Sequence, residues 1–312
     1  MEGKIFISTS TFGEHDRTSL RQLKESGFEV VTNPYGRQLR IEESKVLLDG
    51  VIGLIAGTET LSEEVLVSAT SLKAISRVGT GMDNVDLEAA KRLGIEVMNT
   101  PDAPTEAVAE LTLGLILASY RKIPQLDRSV KCGKWPNSMG SLVYGKTLGV
   151  VGLGRIGKRV VELTAPFKVK VAAYDISPDM EFARAFNVRL LTLDGLLKEA
   201  DIITLHIPLS PSTRGLISKE EFSLMKIDAV LINTSRGAIV DEDALIKSLR
   251  SKKIGGACLD VFGNEPYAGE LQRFENTVLT PHIGTYAKEA RIKMEQEAVD
   301  NILKALKQKE RL

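Results

Sequence analysis

Arg236, Glu265 and His282 are the side chains of this sequence best suited to chemistry, and each follows an apolar run. They stand in Asn233-Thr234-Ser235-Arg236-Gly237, in Leu259-Asp260-Val261-Phe262-Gly263-Asn264-Glu265-Pro266 and in Thr280-Pro281-His282-Ile283-Gly284. A guanidinium offers a planar fork that grips a carboxylate through two hydrogen bonds and polarises a neighbouring carbonyl. An imidazolium can hand a proton to an oxygen on which charge develops, and an ionised carboxylate beside it favours that charged form. One cation, one acid and one histidine therefore suit the transfer of a hydride and a proton onto the carbonyl of a carboxylate-bearing molecule.

A hydride needs a carrier, and Val151-Gly152-Leu153-Gly154-Arg155-Ile156-Gly157 supplies a place for one. Gly152, Gly154 and Gly157 fill the three positions at which a dinucleotide fold needs a tight turn, a close approach of backbone to pyrophosphate, and helix packed on strand. The next predicted strand, Val169 to Tyr174, ends in Asp175, where an acid accepts from the ribose hydroxyls. Strand, turn, helix, strand and acid fall in order. The Asp175 carboxylate repels a 2′-phosphate, and Ile176-Ser177-Pro178 offers no base to receive one, so NAD is the expected cofactor. Arg155, directly after the second glycine, is expected to approach the pyrophosphate.

These residues need strands and helices to position them, and short apolar runs alternate with helical patterns along the chain, as in βαβ units on parallel sheets. Strands are predicted at Lys4–Ser8, Phe28–Thr32, Val51–Ala56, Leu72–Val78 and Ile95–Asn99. A helix over Thr105–Tyr120 leads to a loop at Lys134–Gly140, after which further strands begin at Thr147, Val169, Asp201, Ala229, Gly256 and Thr277. Arg236, Glu265 and His282 thus follow the C-terminal ends of their strands, where open parallel sheets bind ligands. A final helix, about Tyr286 to Leu306, carries Met294, Ala298, Ile302 and Leu306 on one face.

At 312 residues two domains are expected. Lys plus Arg and Asp plus Glu both number 41, and no like-charge block occurs, so neither nucleic acid nor an anionic membrane is an expected partner. The start lacks a signal-peptide pattern and no segment has the length and apolarity of a membrane span, which predicts a cytoplasmic protein. Cys132 and Cys258 have no metal-ligand spacing, and no metal is expected.

Taken together, the chain resembles the D-isomer-specific 2-hydroxyacid dehydrogenases, in their phosphoglycerate dehydrogenase-like branch. The resemblance runs through Gly79-Thr80-Gly81-Met82-Asp83-Asn84-Val85-Asp86, Asn99-Thr100-Pro101, Val108-Ala109-Glu110-Leu111, Gly145-Lys146-Thr147-Leu148-Gly149, the glycine turn and the three site segments. It implies Arg236, Glu265 and His282 as catalytic triad. It places Thr80, Arg155, Ile156, Asp175, Thr234, Ser235, Asp260 and Gly284 at NAD, and Val78 and Gly79 at the substrate carboxylate. It also implies a Rossmann cofactor domain, residues 100–284, inserted into a flavodoxin-like substrate domain formed by residues 1–99 and a returning helix over 285–312. Both are doubly wound parallel-sheet α/β domains, and a homodimer through the cofactor domain is expected.

Other features read two ways. His206, followed by Ile207 and Pro208, lines the cofactor pocket or caps its strand. Arg77 is a second substrate cation or a strand-end charge. His15 reads as a loop residue and Trp135 as an interface or packing residue. The leading substrate is 3-phosphoglycerate, but members acting on it commonly carry an Arg in the loop after the third strand, where this chain has Ala56-Gly57-Thr58-Glu59-Thr60. The same scaffold suits glyoxylate, hydroxypyruvate or pyruvate reduction to the D-hydroxy acid. A different class, an NAD-sensing binding protein similar to the C-terminal-binding corepressors, also keeps the triad. The end at Leu312 predicts no appended regulatory domain.

Overall fold

The computed structural model describes residues 3 to 309. The chain forms two compact units, one of residues up to Pro104 together with those from Thr285, the other spanning Thr105–Gly284. The strands are β1 (Lys4–Ile7), β2 (Glu29–Thr32), β3 (Val51–Ala56), β4 (Ala74–Arg77) and β5 (Glu96–Asn99) in the first unit. In the second they are β6 (Thr147–Val151), β7 (Lys170–Tyr174), β8 (Arg189–Leu190), β9 (Ile202–Leu205), β10 (Val230–Asn233), β11 (Gly256–Leu259) and β12 (Thr277–Leu279).

The first unit holds a five-stranded sheet in the order β2-β1-β3-β4-β5, parallel throughout. Its central strand reads Val-Ile-Gly-Leu-Ile-Ala, the near-continuous apolar run of a strand covered on both faces. The helix Lys288–Lys309 covers one face, with Met294, Ala298, Ile302 and Leu306 buried beside Ile5, Ile7 and Ile55. Gly53 lets it close on β3, since a Cβ there would meet Ile302 Cγ1 and Leu306 Cδ1 at 3.1 Å. The same helix is tied to the loop after β1: Glu295 accepts the Gly13 N–H at 3.0 Å, and Arg291 reaches Thr11 Oγ1 at 2.8 Å. The first unit runs five residues past the expected end at 99, because the Thr100 N–H donates to the Gly79 carbonyl and Ala103 is buried in its core.

The second unit's sheet runs β12-β11-β10-β9-β6-β7-β8, again parallel, with an apolar core on each face. The switch in strand order falls between β6 and β9, and the glycine turn follows β6. Expected strands at Asp201–Ile207 and Gly256–Val261 end sooner, at Leu205 and Leu259, because the chain leaves the sheet into the loops that carry His206 and Asp260. A helix over Ile123–Lys131 and the two-residue β8 were not expected from the sequence.

Candidate active site

Around the glycine turn the three glycines have separate reasons. Gly152 has φ +96°, and a Cβ there would lie 2.6 Å from the His206 carbonyl oxygen. Gly157 packs its helix on the turn, since a Cβ would lie 2.1 Å from the Gly152 carbonyl oxygen. A Cβ on Gly154 would meet nothing within 4 Å. Intramolecular packing thus demands the first and third glycines, while the second leaves open space at the N-terminus of the helix Arg155–Thr164. That space, together with the helix N-terminus, fits a dinucleotide pyrophosphate beside Arg155 and Ile156.

Asp175 ends β7 and is turned into this loop. Its Oδ2 accepts the Leu153 N–H at 2.6 Å and its Oδ1 the Ser177 N–H at 2.8 Å. The carboxylate is oriented by the turn, and its remaining lone pairs suit ribose hydroxyls. Across the turn, the His206 Nε2 lies 2.9 Å from Thr204 Oγ1, while its Nδ1 is buried with no hydrogen-bond partner among the described residues. Burial lowers the His206 pKa to about 3, so the ring is neutral. Ile207 packs against Gly152, and the Pro208 carbonyl accepts from Thr213.

β10 delivers Arg236 through a turn clamped by Asn233, which is buried. The Asn233 Oδ1 accepts the N–H and hydroxyl of Ser235 at 3.0 and 2.7 Å, and its Nδ2 donates to the Arg236 carbonyl at 2.9 Å. Arg236 Nη1 donates to the Ser235 carbonyl at 2.8 Å. Thr234 is buried, with its hydroxyl 3.1 Å from that of Thr112. A Cβ on Gly237 would lie 2.0 Å from the Phe262 carbonyl carbon, so this turn packs directly on the loop that carries Glu265.

β11 and β12 deliver the acid and the histidine. His282 Nδ1 lies 2.7 Å from Glu265 Oε2, and Glu265 Oε1 accepts the Phe262 N–H at 3.0 Å. Burial acts to raise the Glu265 carboxyl, but the His282 hydrogen bond and charge, the Phe262 N–H and Arg236 together hold it below the usual carboxylate range. His282 sits at φ +55°, a conformation that costs an ordinary residue about 1 kcal/mol. Asp260 holds it there: Oδ1 accepts from the Thr280 hydroxyl at 2.6 Å and the Ile283 N–H at 2.9 Å, and Oδ2 the Gly284 N–H at 2.8 Å. Asp260 and Gly284, which the resemblance implies as cofactor contacts, form the clamp behind the histidine.

Residues 113–284 match the model of the D-isomer specific 2-hydroxyacid dehydrogenase NAD binding domain. The glyoxylate reductase of Thermococcus litoralis is 38% identical over 97% of this chain and 93% of that one. The chain belongs to the D-isomer specific 2-hydroxyacid dehydrogenase family. The D-3-phosphoglycerate dehydrogenase of Methanocaldococcus jannaschii is 41% identical over 87% of the chain, which spans about half, 52%, of that protein's length. Among solved structures of this family, D-lactate dehydrogenase from Aquifex aeolicus, complexed with NAD and lactic acid, superposes with a TM-score of 0.86. It is 29% identical, with 97% of this chain and 95% of that one covered.

The remaining expected dehydrogenase positions, Arg77, Val78, Gly79 and Thr80, lie in the first unit. Arg77 is buried, its Nη1 2.8 Å from the Val78 carbonyl oxygen, and a Cβ on Gly79 would lie 1.5 Å from that Nη1. Gly79 (φ +135°) thus makes room for the guanidinium, and its own N–H donates to Thr100 Oγ1 at 2.8 Å. Arg77, read from the sequence as either a second substrate cation or a strand-end charge, here braces the loop that begins at Val78. The Thr80 carbonyl accepts from Asn99 at 2.7 Å. Sequence reasoning missed Asn233 and Thr112, whose partners lie across turns or helices. Among the described residues no helix is long and apolar enough to cross a membrane, and no group of His, Cys, Asp and Glu could hold a metal.

Proposed function

We propose that the chain is an NAD-dependent D-2-hydroxyacid dehydrogenase, transferring a hydride between NAD(H) and the C-2 of a 2-hydroxy or 2-keto acid. The observation that carries this reading is the 2.7 Å Glu265–His282 pair on the sheet edge that also carries the glycine turn and Arg236. NAD supplies or accepts the hydride when bound. Arg236 grips the substrate carboxylate and polarises the C-2 carbonyl. In the direction of reduction His282 donates a proton from Nε2, the nitrogen that Glu265 does not engage, to the carbonyl oxygen. In oxidation the neutral ring takes that proton back. Glu265 fixes the ring through Nδ1 and favours its charged form; Asn233 and Asp260 hold the two turns in register.

In the same reading the backbone at Val78 and Gly79 is assigned to the substrate carboxylate. Phosphoglycerate and glyoxylate, the substrates in the relatives' names, share the reacting centre on which these residues act. We further place the protein in the cytoplasm as a homodimer through the second unit. Supporting the dimer is an exposed apolar stretch, with Trp135 at 85%, Met139 at 87% and Leu142 at 67% exposed, and sedimentation at micromolar concentration tests it. The function is tested by following NADH absorbance with a panel of glyoxylate, hydroxypyruvate, pyruvate and 3-phosphohydroxypyruvate. Turnover of at least one is expected. Tight NADH binding without turnover of any would favour a binding protein instead.

A further inference from the structure

Two residues beyond Glu265, Tyr267 anchors the loop that carries it. The Phe262 and Tyr267 rings stack, with centroids 4.4 Å apart and planes 20° from parallel. Both are half-buried against the core on one face of the second unit's sheet. The Tyr267 hydroxyl donates to Glu242 Oε1 at 2.8 Å, in the first turn of the helix Glu242–Arg250, and accepts the Leu271 N–H at 3.2 Å. Burial and the Glu242 carboxylate push its pKa up to about 12, so the phenol keeps the proton it donates. Gly269 makes room for it, since a Cβ there would lie 2.3 Å from the hydroxyl oxygen.

These contacts converge on Phe262. Its N–H donates to Glu265 Oε1 at 3.0 Å, while Glu265 Oε2 lies 2.7 Å from His282 Nδ1. Its carbonyl carbon abuts the turn that presents Arg236, where a Cβ on Gly237 would approach to 2.0 Å. Phe262 is thus held at its carbonyl by the Arg236 turn, at its N–H by Glu265 and at its ring by Tyr267. The first two contacts join residues of the site to one another. The third ties them, through Glu242, to a helix whose Ala244, Leu245 and Leu249 are buried in the core. Residues 263–266 are exposed, and a Cβ on Gly263 would meet nothing within 4 Å, so the segment between the two rings has little packing of its own.

We propose that Tyr267 is a positioning residue for the proton donor: through Phe262 it sets the Glu265 carboxylate at hydrogen-bond distance from His282 and so sustains the charged ring. The inference rests on the dehydrogenase reading above. A reactive constellation works only when its supporting residues hold it to within about 0.5 Å, and the stacked, hydrogen-bonded phenol supplies that support from outside the loop. The other charged groups around the pair, Asp260 behind His282 and Arg236 beside Glu265, are held by bonds of their own.

The test is the pH profile of kcat/KM for NADH-dependent reduction of the best keto acid of the panel above, in the parent, Tyr267→Phe, Tyr267→Leu, Glu265→Gln and the double variant Tyr267→Leu with Glu265→Gln. Tyr267→Leu removes the stack and should move the falling limb to lower pH by about half a unit, the scale on which loss of a ring stack acts. The rate at neutral pH should drop about threefold with it, chiefly in kcat, since the contacts removed are all within the protein. Tyr267→Phe keeps the stack and loses the anchor, so it should fall between the Leu variant and the parent; it takes the Leu variant's place should that one fail to fold by circular dichroism. In the Glu265→Gln background Tyr267→Leu should move the limb no further, because the carboxylate through which it acts is gone. A folded Leu variant, or the Phe variant in its place, whose profile superimposes on the parent's would overturn the role of Tyr267 and leave the dehydrogenase reading intact. So would an equal shift with and without the Glu265 carboxylate. Failure of the parent to reduce any 2-keto acid would overturn both.

Discussion

Glu59 and Glu265 each accept a backbone N–H at a strand end of a parallel sheet, and the two units hold them in opposite ways. Glu265 keeps about a third of its side chain in solvent and has an imidazole at 2.7 Å, which holds its pKa below the usual range. Glu59 is buried with a hydroxyl and an N–H as its nearest partners, and burial outweighs those donors and the more weakly felt Arg77, so its pKa is raised. Partner and solvent, and not residue type, decide what a carboxylate is for. In the proposed reading Glu265 stays ionised and sustains a proton donor; Glu59 fills space and takes up donors.

That comparison breaks at once if the Glu265 side is not the reactive one. Replacing His282 with Ala should lower kcat by about 10²-fold or more in both directions, the usual weight of a general acid–base group, while hydroxypyruvate and NADH still bind. Retained turnover would move the chemistry elsewhere. Arg236→Lys keeps the charge but loses the bidentate fork, and kcat/KM should fall about tenfold, roughly 1.4 kcal/mol. Near-unchanged kinetics would remove Arg236 from carboxylate binding and leave Glu265 and His282 as an isolated pair. The smallest effect belongs to Asp175, a third carboxylate that also accepts backbone N–H groups. Asp175→Ala should narrow the preference for NADH over NADPH several-fold, about 1 kcal/mol, by removing repulsion without adding a phosphate partner. A parent that uses both cofactors equally would show that this carboxylate does not select.

The sequence made one side of the comparison legible and hid the other. Glycine spacing, apolar runs and strand-end residues report local backbone demands, so both sheets, the glycine turn and the Arg236, Glu265 and His282 positions could be read directly. Glu59 sits in the loop Gly57-Thr58-Glu59-Thr60, and the Ser8 hydroxyl just after β1, together with the Gly57 N–H, turns it inward. The left-handed His282 and its Asp260 clamp, 22 residues apart in sequence, depend likewise on hydrogen bonds across two strands. The amphipathic face of the last helix was plain, but its docking on β3 follows from Gly53 and from the Gly13–Glu295 bond, neither of which leaves a periodic signal. For Arg77 the strand-end place was legible, but not that the guanidinium folds over Gly79 and bonds the Val78 carbonyl.

The central claim, that an ionised Glu265 sustains the proton on His282, is tested most directly by the pH dependence of kcat/KM for hydroxypyruvate reduction in the parent and in Glu265→Gln. The lowered pKa of Glu265 keeps it ionised throughout the neutral range, and its stabilisation of the pair is lost only as pH falls through that lowered value. Reduction requires a protonated ring, so the parent's rate should fall as pH rises. Removing the carboxylate removes the attraction that favours the charged ring, so the same limb should move to lower pH in Glu265→Gln, leaving reduction weakened most at neutral pH. Superimposable profiles, with a primary isotope effect from deuterated NADH showing that hydride transfer limits the rate in both proteins, would contradict it.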